Sequence, residues 1–212
     1  IAEGRVETGG QEHLYLETQG ALAIPMDGGR ITIHSATQSP TAVQRTAAKV
    51  LGKDMNEIEV DTRRLGGAFG GKEDQATAYA CLAALVSEIY HYPAALVLDR
   101  KEDMAITGKR HPYSADFRIG INKDLEILGY EAVYYQNAGA AADLSTAILE
   151  RTLYHGINGY RIPNVKLTGY SCRTNYPPNT AFRGFGGPQA MFVMESAIAK
   201  AAEQAGVYPH EI

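Results

Sequence analysis

The sequence predicts an α+β fold in which mixed sheets and helices are arranged in two lobes. Short runs with period-two alternation recur along the chain, stretches of helical periodicity interrupt them, and their order follows no strict βαβ rhythm. The first extended run is His13-Leu14-Tyr15-Leu16-Glu17. Leu22-Ala23-Ile24-Pro25 and Ile31-Thr32-Ile33-His34 then read as strands joined by a turn at Asp27-Gly28-Gly29, which makes a hairpin. Ser39-Pro40 supplies an N-cap with proline at the first helical position, opening an amphipathic helix (Val43, Ala47, Val50, Leu51) that stops at Gly52. Ile58-Glu59-Val60 reads as a strand.

A helix is predicted from about Glu73 to His91, with Leu82, Leu85, Val86 and Ile89 on its buried side at i, i+3, i+4 and i+7. Pro93 closes it, and Ala95-Leu96-Val97-Leu98 reads as a buried strand. A second hairpin joins Phe117–Gly120 to Ile127–Val133 through Asn122-Lys123-Asp124. Ser145 to His155 has helical spacing, Val165 to Cys172 is extended, and Met191, Met194, Ile198 and Ala202 mark a final helix. No internal repeat or low-complexity linker breaks the chain.

Composition narrows the function classes. The chain is 45% hydrophobic and 21% charged, carries a formal net charge of -4, and has no apolar run long enough to cross a bilayer, so a membrane role is not expected. Its basic residues are scattered, without the clustered face of a nucleic-acid binder. Cys81 and Cys172 belong to no C-x-x-C pattern, which excludes an iron-sulfur cluster or structural zinc on this chain and fits a reducing, cytoplasmic setting. The chain begins Ile1-Ala2-Glu3 and stops at His210-Glu211-Ile212 inside a starting helix, and is read as a piece of something longer. His34, His111 and His155 read as core or helix-end histidines, since no second ligand stands at metal spacing.

Two glycine-rich loops carrying aromatics stand out, Gly66-Gly67-Ala68-Phe69-Gly70-Gly71-Lys72-Glu73 and Ala181-Phe182-Arg183-Gly184-Phe185-Gly186-Gly187-Pro188-Gln189. Glycine is costly to order, so its concentration around two Phe-Gly steps suits backbone that must approach a flat or anionic ligand. The first loop satisfies G-x-x-x-x-G-K between a strand and a helix, the phosphate-loop pattern. The match fails at its last position. A Ser or Thr hydroxyl is needed there to hold Mg²⁺, and Glu73 supplies a carboxylate that repels phosphate. Glu73 also has a purely structural reading, as an acid at a helix N-terminus favoured by about 0.3–1 kcal/mol.

Taken together these loops resemble those of the molybdenum-containing subunit or domain of the xanthine dehydrogenase and aldehyde oxidase family. The resemblance covers nearly the whole chain. It includes Gly10–Thr18, Arg64–Glu73, Leu98–Met104, Thr107–Pro112 and Asn179–Gln189, in one order. Departures are small: Ala68 and Ala190 stand where glycine is common. The resemblance implies a molybdenum-pyranopterin (molybdopterin) cofactor, whose metal is held by the cofactor's sulfurs, and hydroxylation of a carbon beside a ring nitrogen, or of an aldehyde carbon, with oxygen from water. By matching motif, Gln38 looks like the glutamine beside the molybdenum oxo group, Phe69 and Gly70 like the backbone presented to the cofactor, and Arg183 like the residue near its sulfur and oxygen ligands. Phe185 resembles the aromatic that meets the substrate ring.

Glu73 and Arg151 resemble the charged positions of the purine-oxidising type, which converts hypoxanthine and xanthine to urate; aldehyde oxidases are usually uncharged there. A carboxyl group can hydrogen-bond a purine N–H, and a guanidinium can stabilise charge building on a purine oxygen, donors of this kind being worth roughly 10²–10³ in rate. A structural ion pair is the bland reading of the same two residues. Glu12 and Glu17 lie in the first motif, and spacing assigns them no chemical role.

The resemblance also implies what lies elsewhere. The general-base glutamate of the family sits in a late motif that this chain does not match, as do further pterin-gripping loops; FAD and [2Fe-2S] centres belong to other domains or subunits. Residues 1–212 therefore read as the first part of a molybdopterin-binding catalytic domain, inactive alone, with the remaining domains as partners in a dimer of complete enzymes. An aldehyde-oxidising relative and a non-catalytic, cofactor-free module of the same fold are the alternatives.

Overall fold

Alternation of small apolar residues with polar ones builds two separate four-stranded sheets, and the computed structural model describes all residues, 1–212. The chain divides into two units: Ile1–Gln11, Arg110–Asn179 and Arg183–Ile212 form the first, and Glu12–Lys109 with Thr180–Phe182 form the second.

In the first unit, β1 (Ala2–Thr8), β6 (Tyr113–Ile121), β7 (Ile127–Gly139) and β8 (Val165–Arg173) lie in that order. β6 pairs antiparallel with both β1 and β7, whereas β8 runs parallel to β7. Alternate residues of β6 and β7 (Ala115, Phe117, Ile119; Ala132, Tyr134) pack with Val193, Met194, Ala197 and Ile198 of α5 (Gly187–Ala205). Each large apolar side chain so buried contributes about 1.5–3 kcal/mol. α4 (Ser145–Tyr154) packs beside β8 and α5.

In the second unit the order is β4 (Ile58–Asp61), β3 (Ile31–Ser35), β2 (Gly20–Pro25) and β5 (Ala94–Val97). β2 and β3 form the expected hairpin, with Leu22 opposite His34, and β3 and β4 are parallel, linked through α1 (Pro40–Leu51). α1 and α2 (Gln75–Tyr90) cover one face of this sheet; Ala23, Ile31, Ile33, Val43, Ala47 and Ala84 make the core. α3 (Arg100–Ile106) is opened by a capping box: the Asp99 carboxylate takes the Glu102 N–H at 2.8 Å, and Glu102 returns to the Asp99 N–H at 3.1 Å.

Four expectations require correction. Leu82, Leu85, Val86 and Ile89 are the exposed side of α2, at 50%, 37%, 46% and 60%; the buried stripe is Ala76, Ala80, Ala83, Ala84 and Ser87. Both sets keep helical spacing, and the small residues face inward because they let the helix approach the sheet closely. β5 is an edge strand with Ala95 and Val97 exposed, not a buried one. His13 to Glu17 alternates in burial but joins no ladder, since its carbonyls at Tyr15 and Leu16 are taken by the Arg100 guanidinium at 2.6 and 2.8 Å. His34 is neither in the core nor at a helix end: it stands on the uncovered sheet face, 3.1 Å from Asp61. β1 and α3 went unread in the sequence. No helix is long and apolar enough to cross a membrane.

Candidate functional site

The first glycine loop links β4 to α2, and its tip is a run of left-handed backbone: Gly67 at φ 94°, Phe69 at 54°, Gly70 at 103°. Phenylalanine in that region is uncommon and costs of order 1–3 kcal/mol, a strain found mostly at ligand-binding sites. Gly70 has no substitute, because a Cβ there would stand 2.8 Å from the Ala181 backbone. His13 secures the same contact, donating from Nε2 to the Ala181 carbonyl at 2.7 Å and stacking on Phe182 with centroids 4.6 Å apart.

Gln38 follows β3 and is zipped to this loop. Its backbone N–H donates to the Lys72 carbonyl at 2.8 Å, and its side-chain Oε1 accepts from the N–H groups of Gly70 (3.0 Å) and Lys72 (3.3 Å). Two N–H donors can be met only by oxygen, so the amide orientation is determined, and Nε2 is the exposed donor. Phe69, next to Gly70 in sequence, is exposed, and Glu73 is half-buried just ahead of α2. The structure thus brings Gln38 and Gly70 together.

Lys72 occupies the position of a phosphate-loop lysine and behaves oppositely. It is fully buried, its Nζ 3.1 Å from Glu17 Oε2 and 4.6 Å from the centre of the Tyr15 ring. Glu17 Oε2 also takes the Gly66 N–H at 2.9 Å. Burial pushes the Lys72 ammonium below the ordinary lysine value, against the opposing pull of Glu17 and Asp103. Burial pushes Glu17 upward, but the Gly66 N–H and Lys72 hold it below the usual carboxylate range. Around them, Gln19 donates to the Gly71 carbonyl (2.9 Å) and the Tyr15 hydroxyl (3.2 Å), and Tyr15 donates to Asp103 at 2.8 Å. Glu12 is ion-paired with Lys109 at 2.8 Å.

The second glycine loop passes from one unit to the other: Ala181 and Phe182 belong with the first loop, Arg183 onward with the other sheet. Its tip repeats the backbone of the first, Gly184 at φ 96°, Phe185 at 51° and Gly186 at 92°. A Cβ at Gly186 would collide with the Ile148 carbonyl and Thr152 Oγ1 of α4. A neutral relay holds it: Ser171 donates to Gln136 (2.9 Å), Gln136 donates to the Tyr113 hydroxyl (2.8 Å), the Tyr113 and Thr152 hydroxyls share a hydrogen bond at 2.9 Å, and Thr152 Oγ1 lies 3.0 Å from the Ile148 carbonyl and 3.2 Å from the Gly186 carbonyl. Burial pushes the Tyr113 phenol up to about 12.

Arg151 sits exposed in the last turn of α4 with its guanidinium carbon 6.0 Å from the Phe185 ring centre, a cation–π distance that unites two of the candidates. Arg183 is exposed, and its carbonyl accepts from Arg110 Nη2 at 2.9 Å. Glu73 lies in the second unit and Arg151 in the first. Sequence reading missed Glu17, Lys72, Arg110 and Thr152 as residues that shape the loops. A lysine in an otherwise apolar glycine loop was the available signal for the first pair.

The donors that the second unit presents suit an organic cofactor carrying acceptor atoms: the oriented Gln38 amide N–H and the strained backbone of the first glycine loop. Residues 1–212 match the family described as the molybdopterin cofactor-binding domain. Xanthine dehydrogenase of Dictyostelium discoideum is 42% identical over 212 residues, which is 100% of this chain and 16% of that protein. A nicotinate hydroxylase of Emericella nidulans is 42% identical over 210 residues, 99% of this chain and again 16% of that protein. The solved aldehyde oxidoreductase from Desulfovibrio gigas aligns at TM-score 0.86 and 28% identity, covering 99% of this chain and 23% of that one.

Proposed function

The chain belongs to the molybdopterin cofactor-binding domain family, and from that premise we propose that it contributes part of the active site of a cytoplasmic molybdenum hydroxylase that oxidises a purine. When bound, the molybdenum-pyranopterin group supplies the two-electron oxidation and the oxygen taken from water. The residues that would hold it are Gln38, through its Nε2 donor, the backbone of Phe69 and Gly70, and Arg183. Electrons leave through flavin and iron-sulfur domains, the remainder of the molybdenum domain brings the general base, and complete enzymes pair as dimers. Residues 1–212 form the first part of that molybdenum domain.

The observation that carries the purine reading is the Arg151 guanidinium over the Phe185 ring at 6.0 Å. An aromatic face receives a flat heterocycle, and the cation beside it stabilises negative charge accumulating on a ring-bound oxygen. Glu73, in the second unit, is a carboxyl able to accept from a ring N–H or to donate to a neighbouring ring nitrogen, the chemistry that a purine would need. Similarity to a nicotinate hydroxylase supports a second reading, since Arg151 would equally pair with a pyridine carboxylate. In the full-length enzyme, Glu73→Val and Arg151→Met are expected to lower kcat/KM for xanthine roughly 10²-fold more than for a simple aldehyde. Equal losses on both overturn the purine assignment, and turnover of nicotinate in preference to xanthine replaces it with the second reading.

A further inference from the structure

Lys72 is held from three sides. Its ammonium meets Glu17 at 3.1 Å, its N–H meets Gln38 Oε1 at 3.3 Å, and its carbonyl accepts from Gln38 N (2.8 Å) and Thr37 Oγ1 (3.3 Å). Glu17 holds the opposite end of the loop: its backbone N–H donates to the Gly66 carbonyl at 3.1 Å, and its Oε2 accepts from the Gly66 N–H at 2.9 Å. One carboxylate oxygen is therefore shared by the first and last residues of the strained turn. Between them stand Phe69 at φ 54° and Gly70 at φ 103°. With Lys72 fully buried and Glu17 partly exposed, this ion pair adds little net stability, because desolvation of the ammonium and screening of the carboxylate offset its attraction; what such a pair can add is a particular geometry.

We propose that Glu17 and Lys72 are positioning residues, a clamp that sets the shape of the first glycine loop and thereby the aim of the Gln38 amide and the Phe69-Gly70 backbone toward the cofactor. The proposal rests on the reading of this loop as a cofactor cradle. Neither residue need touch the cofactor itself. The clamp acts through Gln38, whose Oε1 is tied to the Gly70 and Lys72 N–H groups.

The test uses the full-length enzyme with Glu17→Gln, Lys72→Met and the two combined. Each single change is expected to lower kcat roughly tenfold with KM nearly unchanged, and to alter the molybdenum electron paramagnetic resonance signal or the molybdenum-to-protein ratio. The combined change removes both charges and is expected to recover melting temperature without recovering kcat or the signal. Recovery of kcat and signal along with melting temperature, or single variants that lose melting temperature alone, overturns the clamp. If the unsubstituted enzyme proves free of molybdenum, the cofactor reading fails, and hydrogen exchange still decides the clamp: Glu17→Gln should reduce protection of the Gly70 and Lys72 amides, and unchanged protection overturns it.

Discussion

The two glycine loops have nearly the same backbone and opposite support. Phe69 and Phe185 sit at φ 54° and 51°, each followed by a glycine, at 103° and 92°. Beneath the first lies a charged brace of Lys72, Glu17 and Asp103; beneath the second lies a neutral relay from Ser171 through Gln136, Tyr113 and Thr152. One local conformation is thus imposed by two kinds of chemistry. A charged brace is sensitive to proton concentration and to stranding one partner, whereas a neutral relay depends on the direction of each hydrogen bond.

The largest effects test what the loops share. Gly70→Ala and Gly186→Ala each force a Cβ into a left-handed position already filled by backbone, and each should cost about 3 kcal/mol or more in denaturant unfolding. A small loss at either site breaks the parallel. The next effect separates them. Glu17→Gln leaves the fully buried Lys72 without its carboxylate, and should cost about 2 kcal/mol, a value held down by the exposure of Glu17. Thr152→Val removes one neutral link and should cost about 1 kcal/mol. Equal losses in urea titrations would erase the distinction between the braces.

The smallest effect is the pH response. Glu17 binds its proton less tightly when folded than when unfolded, so its stabilisation is complete above the ordinary carboxylate value of 4.5 and is lost as pH falls through the lower, folded value. The relay contains no group that titrates in acid. Tyr113 binds its proton more tightly when folded, and its contribution disappears only as pH rises from 10 through about 12. Exchange protection factors of amides 66–72 should therefore fall below pH 4.5 while those of 184–187 hold. A common decline in both loops would show that their support is not chemically distinct.

Much of this was legible before folding was considered. The hairpin of β2 and β3, the Ser39-Pro40 start and Gly52 stop of α1, and the strand, loop, helix order around Phe69 follow from local rules. Asp99-x-x-Glu102 also announced α3, and went unread because the surrounding residues show little apolar periodicity. The side of α2 that is buried was not legible: Leu82, Leu85, Val86 and Ile89 compete with an alanine stripe of the same period, and only contact with β2 and α1 chooses between them.

At the site, the sequence alone identified the two loops and the failure of the phosphate-loop pattern, because residue type and short spacing are enough for those readings, and it offered Glu73, Arg151 and Arg183 as candidates only through the family resemblance. It also carried the resemblance to a molybdenum hydroxylase. Tertiary structure decided that Lys72 turns inward to Glu17, 55 residues away, that Gln38 presents Nε2 and not Oε1, and that Arg151 stands over Phe185. Those are facts of burial and of hydrogen-bond direction. They arise only when segments distant in the chain compete for the same donors and the same space, and no local rule of sequence contains that competition.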